Sequence, residues 1–366
     1  MSEYRTILKQ TLQRFPAPEL PLERVLRRRD RRRRNQRLAA GATGLAIALA
    51  AILIGTSVIR SDGERPAHLT PPQIHNGLIA LPGGDTLTLL DPQTGTRSEL
   101  SLRTGRGGYT VSGFAWSPDG TKFAYATYQQ GTVRVFDLKT DTISTIVPCG
   151  APPPYRVGCM FYLAWSPDGS RIALSGSGGL DLIDPDGSNR TTLIDSRGPG
   201  GNVGPPTWSP DGATIAFTAR LPASSDHLAV YEVDADGSNL KVLFEQPGIS
   251  PSSLRWSPDG SRIAYLVSVY PHPNLATSLS IPQVWIVNAD GSRPSKLFEG
   301  GACCGGGLAS GLSWSPDGTK IAFLGTPPGT FGSDGRLYAL DPDSGHAQVL
   351  ATHVPLYGLL AWQPVP

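Results

Sequence analysis

The sequence has few charged residues and few histidines. Lys, Arg, Asp and Glu account for 17% of the 366 residues, and the six histidines show no spacing typical of metal ligands. A histidine-based metal site is therefore not expected. Glycine and proline are abundant instead, with 43 and 34 copies, and this composition indicates a β protein with many turns.

Uncharged apolar stretches long enough to span a membrane are also missing, with one exception at residues 38–59. Such a stretch, as a helix, crosses a hydrocarbon core. Nine arginines between Arg24 and Arg37 precede it, and the positive-inside rule places that end in the cytoplasm. We therefore predict a basic cytoplasmic juxtamembrane segment (1–37), a transmembrane signal-anchor helix (38–59) and an extracytoplasmic linker (60–75).

Two alternatives concern this N-terminal region. A cleaved signal peptide would have an apolar stretch of about 7–15 residues behind a short basic start, whereas here the basic stretch extends to Arg37. Arginine runs also bind nucleic acid or anionic lipid. Because no aromatic residues interleave the run and the apolar stretch follows directly, we expect contact with acidic headgroups and no nucleic-acid partner.

A short repeated string organises the rest of the chain. Trp-Ser-Pro-Asp-Gly occurs at 116–120, 165–169, 208–212, 256–260 and 314–318. Proline fixes the second position of a type I turn, and glycine suits the fourth. Alternating polar and apolar residues follow each copy, as in a β-strand. Each copy therefore predicts a β-hairpin, and a second hairpin with an Asp/Gly-rich turn follows it.

The two ends of this region supply a sixth unit in two parts. Residues 77–101 match the last three strands of the unit, whereas the C-terminal residues around Trp362 match its first strand. We therefore predict an all-β fold, a six-bladed β-propeller of four-stranded blades spanning 76–366. The C-terminal strand would close the ring and remove its exposed edge, and one transmembrane α-helix would precede the propeller.

The repeated string resembles the WD40-like repeat of the TolB family, whose six-bladed propellers carry W-S-P-D-G in each blade. The resemblance covers residues 76–366 and implies a propeller. It does not imply TolB's particular role, because TolB has a further N-terminal domain where this chain has the predicted anchor. Prolyl oligopeptidase-type peptidases share the repeat but also need an α/β domain with a G-x-S-x-G elbow. No such domain accompanies this propeller, so that activity is not expected.

Binding residues are expected on one face of the propeller. The turns within both hairpins of a blade are tight and share one face, whereas the connections on the other face are longer and varied, and binding residues concentrate in such loops. Each candidate on that face can also be a plain loop residue. The candidates are Tyr155, Arg156, Tyr270, His272 and Phe331.

The predicted inner strands contain no Asp, Glu or His, and their one charge is Arg255. An oxygen-ligand metal site is therefore not expected there, and no cofactor is predicted. Arg255 either meets an anionic group in the channel or faces solvent. The Asp-rich turns of the second hairpins resemble calcium loops, but they lack the closing glutamate of an EF-hand. Hairpin turns account for them.

Four cysteines lie in the longer loops. Cys149 and Cys159 flank one Pro-rich loop, and Cys303 and Cys304 are adjacent in another. Thiols outside the membrane tend to oxidise, so a Cys149–Cys159 disulfide is expected, and a strained, labile Cys303–Cys304 disulfide is a second possibility. Free thiols, or pairing across the two loops, are alternatives.

These features predict a single-pass membrane protein that displays its propeller outside the cytoplasm. The expected function is non-catalytic, namely binding or scaffolding of an extracytoplasmic protein or an envelope polymer. A small-ligand or glycan binder, or an enzyme that uses the face with longer loops, is the alternative. A third hypothesis is transmembrane signalling through residues 1–37.

Overall fold

A computed structural model describes most of the propeller region. It covers residues 77–83, 86–102, 111–127, 132–147, 161–176, 178–195, 202–220, 228–246, 249–269, 280–301, 311–327, 335–354 and 359–364. The predicted cytoplasmic segment (1–37), anchor (38–59) and linker (60–75) lie outside these ranges. Within the ranges, every regular element is a β-strand, and none of the residues forms a helix long and apolar enough to span a membrane.

The strands form six separate four-stranded antiparallel sheets. Blade 1 contains β24 (Ala361–Trp362), β1 (Ile79–Gly83), β2 (Thr86–Leu90) and β3 (Arg97–Ser101). Blade 2 contains β4 (Val111–Trp116), β5 (Lys122–Thr127), β6 (Thr132–Asp137) and β7 (Thr142–Val147). Blade 3 contains β8 (Phe161–Trp165), β9 (Ile172–Gly176), β10 (Gly179–Ile183) and β11 (Thr191–Asp195).

The other three blades repeat this order. Blade 4 contains β12 (Thr207–Trp208), β13 (Thr214–Ala219), β14 (Ala229–Asp234) and β15 (Lys241–Phe244). Blade 5 contains β16 (Pro251–Trp256), β17 (Arg262–Val269), β18 (Ile281–Asn288) and β19 (Ser295–Glu299). Blade 6 contains β20 (Leu312–Trp314), β21 (Ile321–Gly325), β22 (Gly335–Leu340) and β23 (Ala347–Val354).

The first strands of the six blades surround the propeller axis. Each of them contacts the first strand of the next blade, and the series β4, β8, β12, β16, β20 and β24 returns to β4. Strand β24 pairs with β1, with Trp362 opposite Ile79. The predicted count of six blades and the predicted closure by the C-terminal strand are both confirmed.

Gln363, directly after β24, stabilises the closed ring by hydrogen bonds. The main-chain N–H of Gln363 donates to the carbonyl of Leu78 at 2.8 Å, and the side-chain Oε1 of Gln363 accepts from the N–H of Leu78. Its Nε2 donates to the carbonyl of Gly120 in the first turn of blade 2 at 3.0 Å. One buried glutamine therefore joins blade 1 to blade 2.

The Ser-Pro-Asp-Gly turns are held by their serine and aspartate side chains as well as by proline and glycine. The glycine N–H of each copy donates to the serine carbonyl at 2.8–2.9 Å, as in a type I turn. The serine hydroxyl donates to the aspartate carboxylate at 2.6–2.7 Å. That carboxylate also accepts a main-chain N–H two residues further on. The string therefore carries its own hydrogen-bond network.

This network lowers the pKa of the turn carboxylates. At Asp259 the hydrogen bond from Ser257 is the main cause, followed by the main-chain N–H of Ser261. Burial acts to raise the pKa of Asp119 and Asp168, but hydrogen bonds from Ser117 and Ser166 and from the following residues outweigh it. These carboxylates are therefore ionised in the folded protein at neutral pH.

Replacing Asp259 by alanine should lower the free energy of unfolding by about 1–2 kcal/mol at pH 7, because Ser257 and Ser261 lose their acceptor. The pKa of Asp259 is lower in the folded than in the unfolded chain, so its contribution is lost as the pH falls below about 3.9. Urea unfolding at pH 7 and pH 3 should show a smaller pH dependence for Asp259→Ala than for the wild type. Glu245→Ala, which removes an exposed carboxylate, is the control, and an unchanged pH dependence in Asp259→Ala would contradict the assignment.

Replacing Gln363 by alanine should destabilise the propeller by about 1–3 kcal/mol, because the buried N–H of Leu78 and the carbonyl of Gly120 lose partners. Gln348→Ala, on the exposed face of β23, removes the same side chain without these bonds and should change stability by less than about 0.5 kcal/mol. Equal midpoints of thermal unfolding for the two variants would show that the glutamine does not fasten the ring.

Candidate functional site on the propeller axis

Strand register defines an equivalent position on the inner strand of every blade. The repeat tryptophan pairs with isoleucine in five blades and with Phe123 in blade 2. The residue before each tryptophan, here called the axial residue, pairs with a fully buried alanine in all six blades. The axial residues, in blade order from blade 1, are Ala361, Ala115, Ala164, Thr207, Arg255 and Ser313.

The axial ring formed by these six residues is polar on one half and apolar on the other. Blades 4, 5 and 6 contribute threonine, arginine and serine, whereas blades 1, 2 and 3 contribute alanine. In a six-membered ring each member of the polar half faces an alanine across the axis. Arg255 and the three alanines retain partial exposure, as expected for residues that border a central channel.

Arg255 is the one charged member of the axial ring. Its Nη1 donates to the carbonyl of the preceding Leu254 at 2.7 Å. Within the described part of the chain, no carboxylate forms an ion pair with it. The residue is partly buried, and its contact with an anionic group stays a prediction.

Burial lowers the pKa of Arg255 to about 10, so the side chain is still charged at neutral pH. A lowered pKa means that the folded environment disfavours the charge, here by an amount on the order of 3 kcal/mol. Because the pKa is lower in the folded than in the unfolded chain, this cost is present at all pH values below about 10 and is relieved only as the pH rises toward that of the unfolded side chain. The fold therefore retains a cation that opposes its stability.

A β-bulge interrupts the inner strand of blade 5 immediately before Arg255. The register of β16 with β17 shifts between Ser252 and Arg255. Ser253, inside the bulge, has φ 52° and is buried, and it is the one inner-strand residue other than glycine with a positive φ among those described. A left-handed backbone costs a residue with a side chain about 1–2 kcal/mol. Bulges and strained residues occur often beside functional sites.

The indole N–H groups link neighbouring blades at the same level. Trp165, Trp208 and Trp314 each donate to the carbonyl of the axial residue in the preceding blade at 3.0–3.2 Å. The indole of Trp256, in contrast, is buried without an acceptor in the described structure. Its main-chain N–H donates to the hydroxyl of Thr207 instead, at 3.3 Å. Neither feature is confined to blade 5, because the indole N–H of Trp116 also lacks an acceptor and the main-chain N–H of Trp362 donates to the hydroxyl of Ser313 at 3.0 Å. Blade 5 therefore differs from the other blades at its axial residue, Arg255.

Sequence analysis selected Arg255 but missed its surroundings. The polar residues Thr207 and Ser313 become visible only when the copies are aligned on their tryptophans and the axial position is compared across blades. The other candidates, Tyr155, Arg156, Tyr270, His272 and Phe331, lie outside the described residues. So do Cys149, Cys159, Cys303 and Cys304, and both disulfides remain predictions.

The part of the chain that the structure describes contains no group of three His, Cys, Asp or Glu residues able to hold a metal ion.

Comparison with known proteins identifies the same architecture. The sequence pattern of the WD domain, G-beta repeat (WD40) matches residues 99–137. The chain superposes on TolB from Acinetobacter baumannii with a TM-score of 0.58 and 19% identity, over 78% of this chain and 66% of TolB. It superposes on a chain of a nidogen/laminin complex with a TM-score of 0.57 and 13% identity, over 78% and 98% of the two chains. The expected resemblance to TolB-like and WD40-like propellers is confirmed at the level of the fold.

Sequence comparison finds a relative that has no assigned function. An uncharacterised protein of Agrobacterium fabrum is 28% identical over 174 residues, which are 45% of this chain and 54% of the relative. The chain thus spans about half the length of the curated relative that it matches.

Replacing Arg255 by methionine should raise the free energy of unfolding by about 1–3 kcal/mol at pH 7, because an uncompensated buried charge is exchanged for an apolar chain of similar length. Arg171→Met, which removes the surface ion pair with Asp184, should change stability by about 0–1 kcal/mol in the destabilising direction. Urea unfolding of both variants measures the difference. A loss of stability in Arg255→Met would mean that the arginine serves the fold.

Proposed function

We propose that this protein is a membrane-anchored, extracytoplasmic β-propeller that binds another protein without catalysing a reaction. The observation that carries the proposal is the contrast between the two faces of the closed ring. On one face all strands are joined by tight turns whose side chains hydrogen-bond to one another. All longer connections leave from strand ends on the opposite face, here called the loop face.

A rigid disc with variable connections on one face suits recognition of a macromolecule. The ring of six sheets is closed by the hydrogen-bonded pairing of β24 with β1, so the strand ends that carry the loops hold fixed positions relative to one another. A chain of the nidogen/laminin complex has the same fold, and a propeller of this kind therefore occurs in a complex between proteins. An envelope polymer is an alternative ligand for the same face.

Membrane anchoring rests on the sequence. The uncharged stretch 38–59 behind the arginine-rich segment has the length and charge bias of a single-pass anchor with a cytoplasmic N-terminus. This orientation would present the propeller, through the linker 60–75, to partners outside the cytoplasm.

A small-ligand binder or an enzyme is the second candidate function. Arg255 favours it, because a buried cation without a carboxylate partner is a feature of ligand sites as well as of protein interfaces. A channel along the axis would open onto the loop face, so a ligand of either kind would contact both the loops and the axis.

Photo-crosslinking in intact cells tests the protein-binding function. A photoreactive residue at Val269 or at Arg220, both exposed at strand ends on the loop face, should capture one dominant exported protein. The same residue at Asn239 or Arg293, exposed in turns of the opposite face, is the matched control and should capture at least about tenfold less. Partners would be identified by mass spectrometry of the full-length protein and its adducts.

Three outcomes would contradict the proposal. Equal capture from both faces would show that the loop face has no special role, and no adduct above background from any position would remove the protein-binding function. Capture of cytoplasmic proteins alone would contradict the predicted topology.

A further inference from the structure

We propose that the polar half of the axial ring is a binding site for a single carboxylate, supplied by an acidic residue of the protein partner, and that Arg255 forms the ion pair with it. This inference rests on the proposed protein-binding function. It adds the chemistry by which the axis would recognise that partner.

The first argument is the set of unused donors in blades 4 and 5. The guanidinium of Arg255 makes one hydrogen bond, to its own neighbouring carbonyl. The hydroxyl of Thr207 accepts from the N–H of Trp256, and no described residue accepts its proton. These two donors occupy equivalent axial positions in adjacent blades with no described carboxylate beside them, and they make a site for an anion acceptor.

The second argument concerns the charge of the ligand. Arg255 is the one charged residue in the described inner strands, so the axis neutralises one negative charge. A carboxylate carries one charge and matches the planar fork of a guanidinium in a bidentate pair. A phosphate dianion would bring a second charge into a partly buried channel where no other cation faces it.

The third argument concerns the shape of the ring. Ala361, Ala115 and Ala164 form the half that faces the donors, and this half therefore offers an apolar surface of methyl groups to an aliphatic stem. Arg255 itself remains partly exposed and is therefore accessible to a ligand. An aspartate or glutamate side chain combines a carboxylate with such a stem.

The fourth argument is the backbone at the site. The bulge between Ser252 and Arg255, with the left-handed Ser253, interrupts the inner strand immediately before the arginine. The inner strand β4 also shifts register, between Val111 and Gly113, but among the described inner-strand residues other than glycine only Ser253 has a positive φ. Strain held at the residue that aims a buried cation is typical of a binding site.

Thermal unfolding with sodium acetate as the probe tests the site directly. At equal ionic strength and pH 7, acetate should raise the unfolding midpoint of the wild type above that in sodium chloride by about 2 °C when it is present at about ten times its dissociation constant. Sodium phosphate should give a smaller rise. Arg255→Lys should retain part of the acetate effect because it keeps the charge but loses the fork.

Two variants separate binding at the axis from general effects of salt. Arg255→Met should lose the difference between acetate and chloride, whereas Arg171→Met, which removes an exposed arginine, should retain it in full. An equal acetate effect in the wild type and in Arg255→Met would overturn the proposal, and so would its absence from the wild type.

Crosslinking from Val269 in cells then identifies the source of the carboxylate. Introducing Arg255→Met should reduce capture of the partner at least about tenfold, whereas Arg171→Met should not change it. Undiminished capture together with an acetate effect would show that the axis binds a free small carboxylate, which overturns the assignment to the partner. An acetate effect without any captured protein would remove the proposed protein-binding function and leave the carboxylate site standing.

Discussion

The close approach of six sheets around one axis is the constraint on which this structure depends. Next to the axis every blade places the repeat tryptophan opposite a buried isoleucine or phenylalanine and the axial residue opposite a buried alanine. Alanine is required because a larger side chain at the narrow end of a blade would displace the next sheet, and overpacking of this kind costs about 1–3 kcal/mol. The tryptophan then fills the wider space between blades and, in three of them, donates its indole N–H to the preceding blade.

The turn network follows from the same constraint. The tryptophan and the axial residue lie at the same level in all blades only if the hairpin after the inner strand has a fixed length. A slip of one residue would turn every side chain of the strand to the opposite face. Serine and aspartate of the repeated string fix that length by bonding to each other and to the main chain within the turn. The lowered pKa of Asp259, caused first by Ser257, is the electrostatic result.

Where one blade departs from the repeat, the departure carries information about function. Blade 5 has an arginine at the axial position and a bulge with a left-handed serine before it. Arg255 places a charge close to the axis. The other five axial residues are small and uncharged, and their strands are regular or close to regular. The proposed carboxylate site would account for this departure, because an anionic ligand would compensate the charge of Arg255.

The sequence by itself determined the fold, because each blade is specified locally. A turn string of five residues, an alternating strand after it and a regular spacing of tryptophans predict the hairpins, and the incomplete units at the two ends predict the closure that β24 and β1 make. The candidate site could be predicted only in part. Arg255 is visible as an isolated charge, but its burial, its pKa of about 10 and its polar neighbours in adjacent blades are decided by which strands lie side by side. Thr207 and Ser313 are 48 and 58 residues away along the chain, and only the packing of first strand against first strand, which tertiary structure sets, makes them neighbours of the arginine.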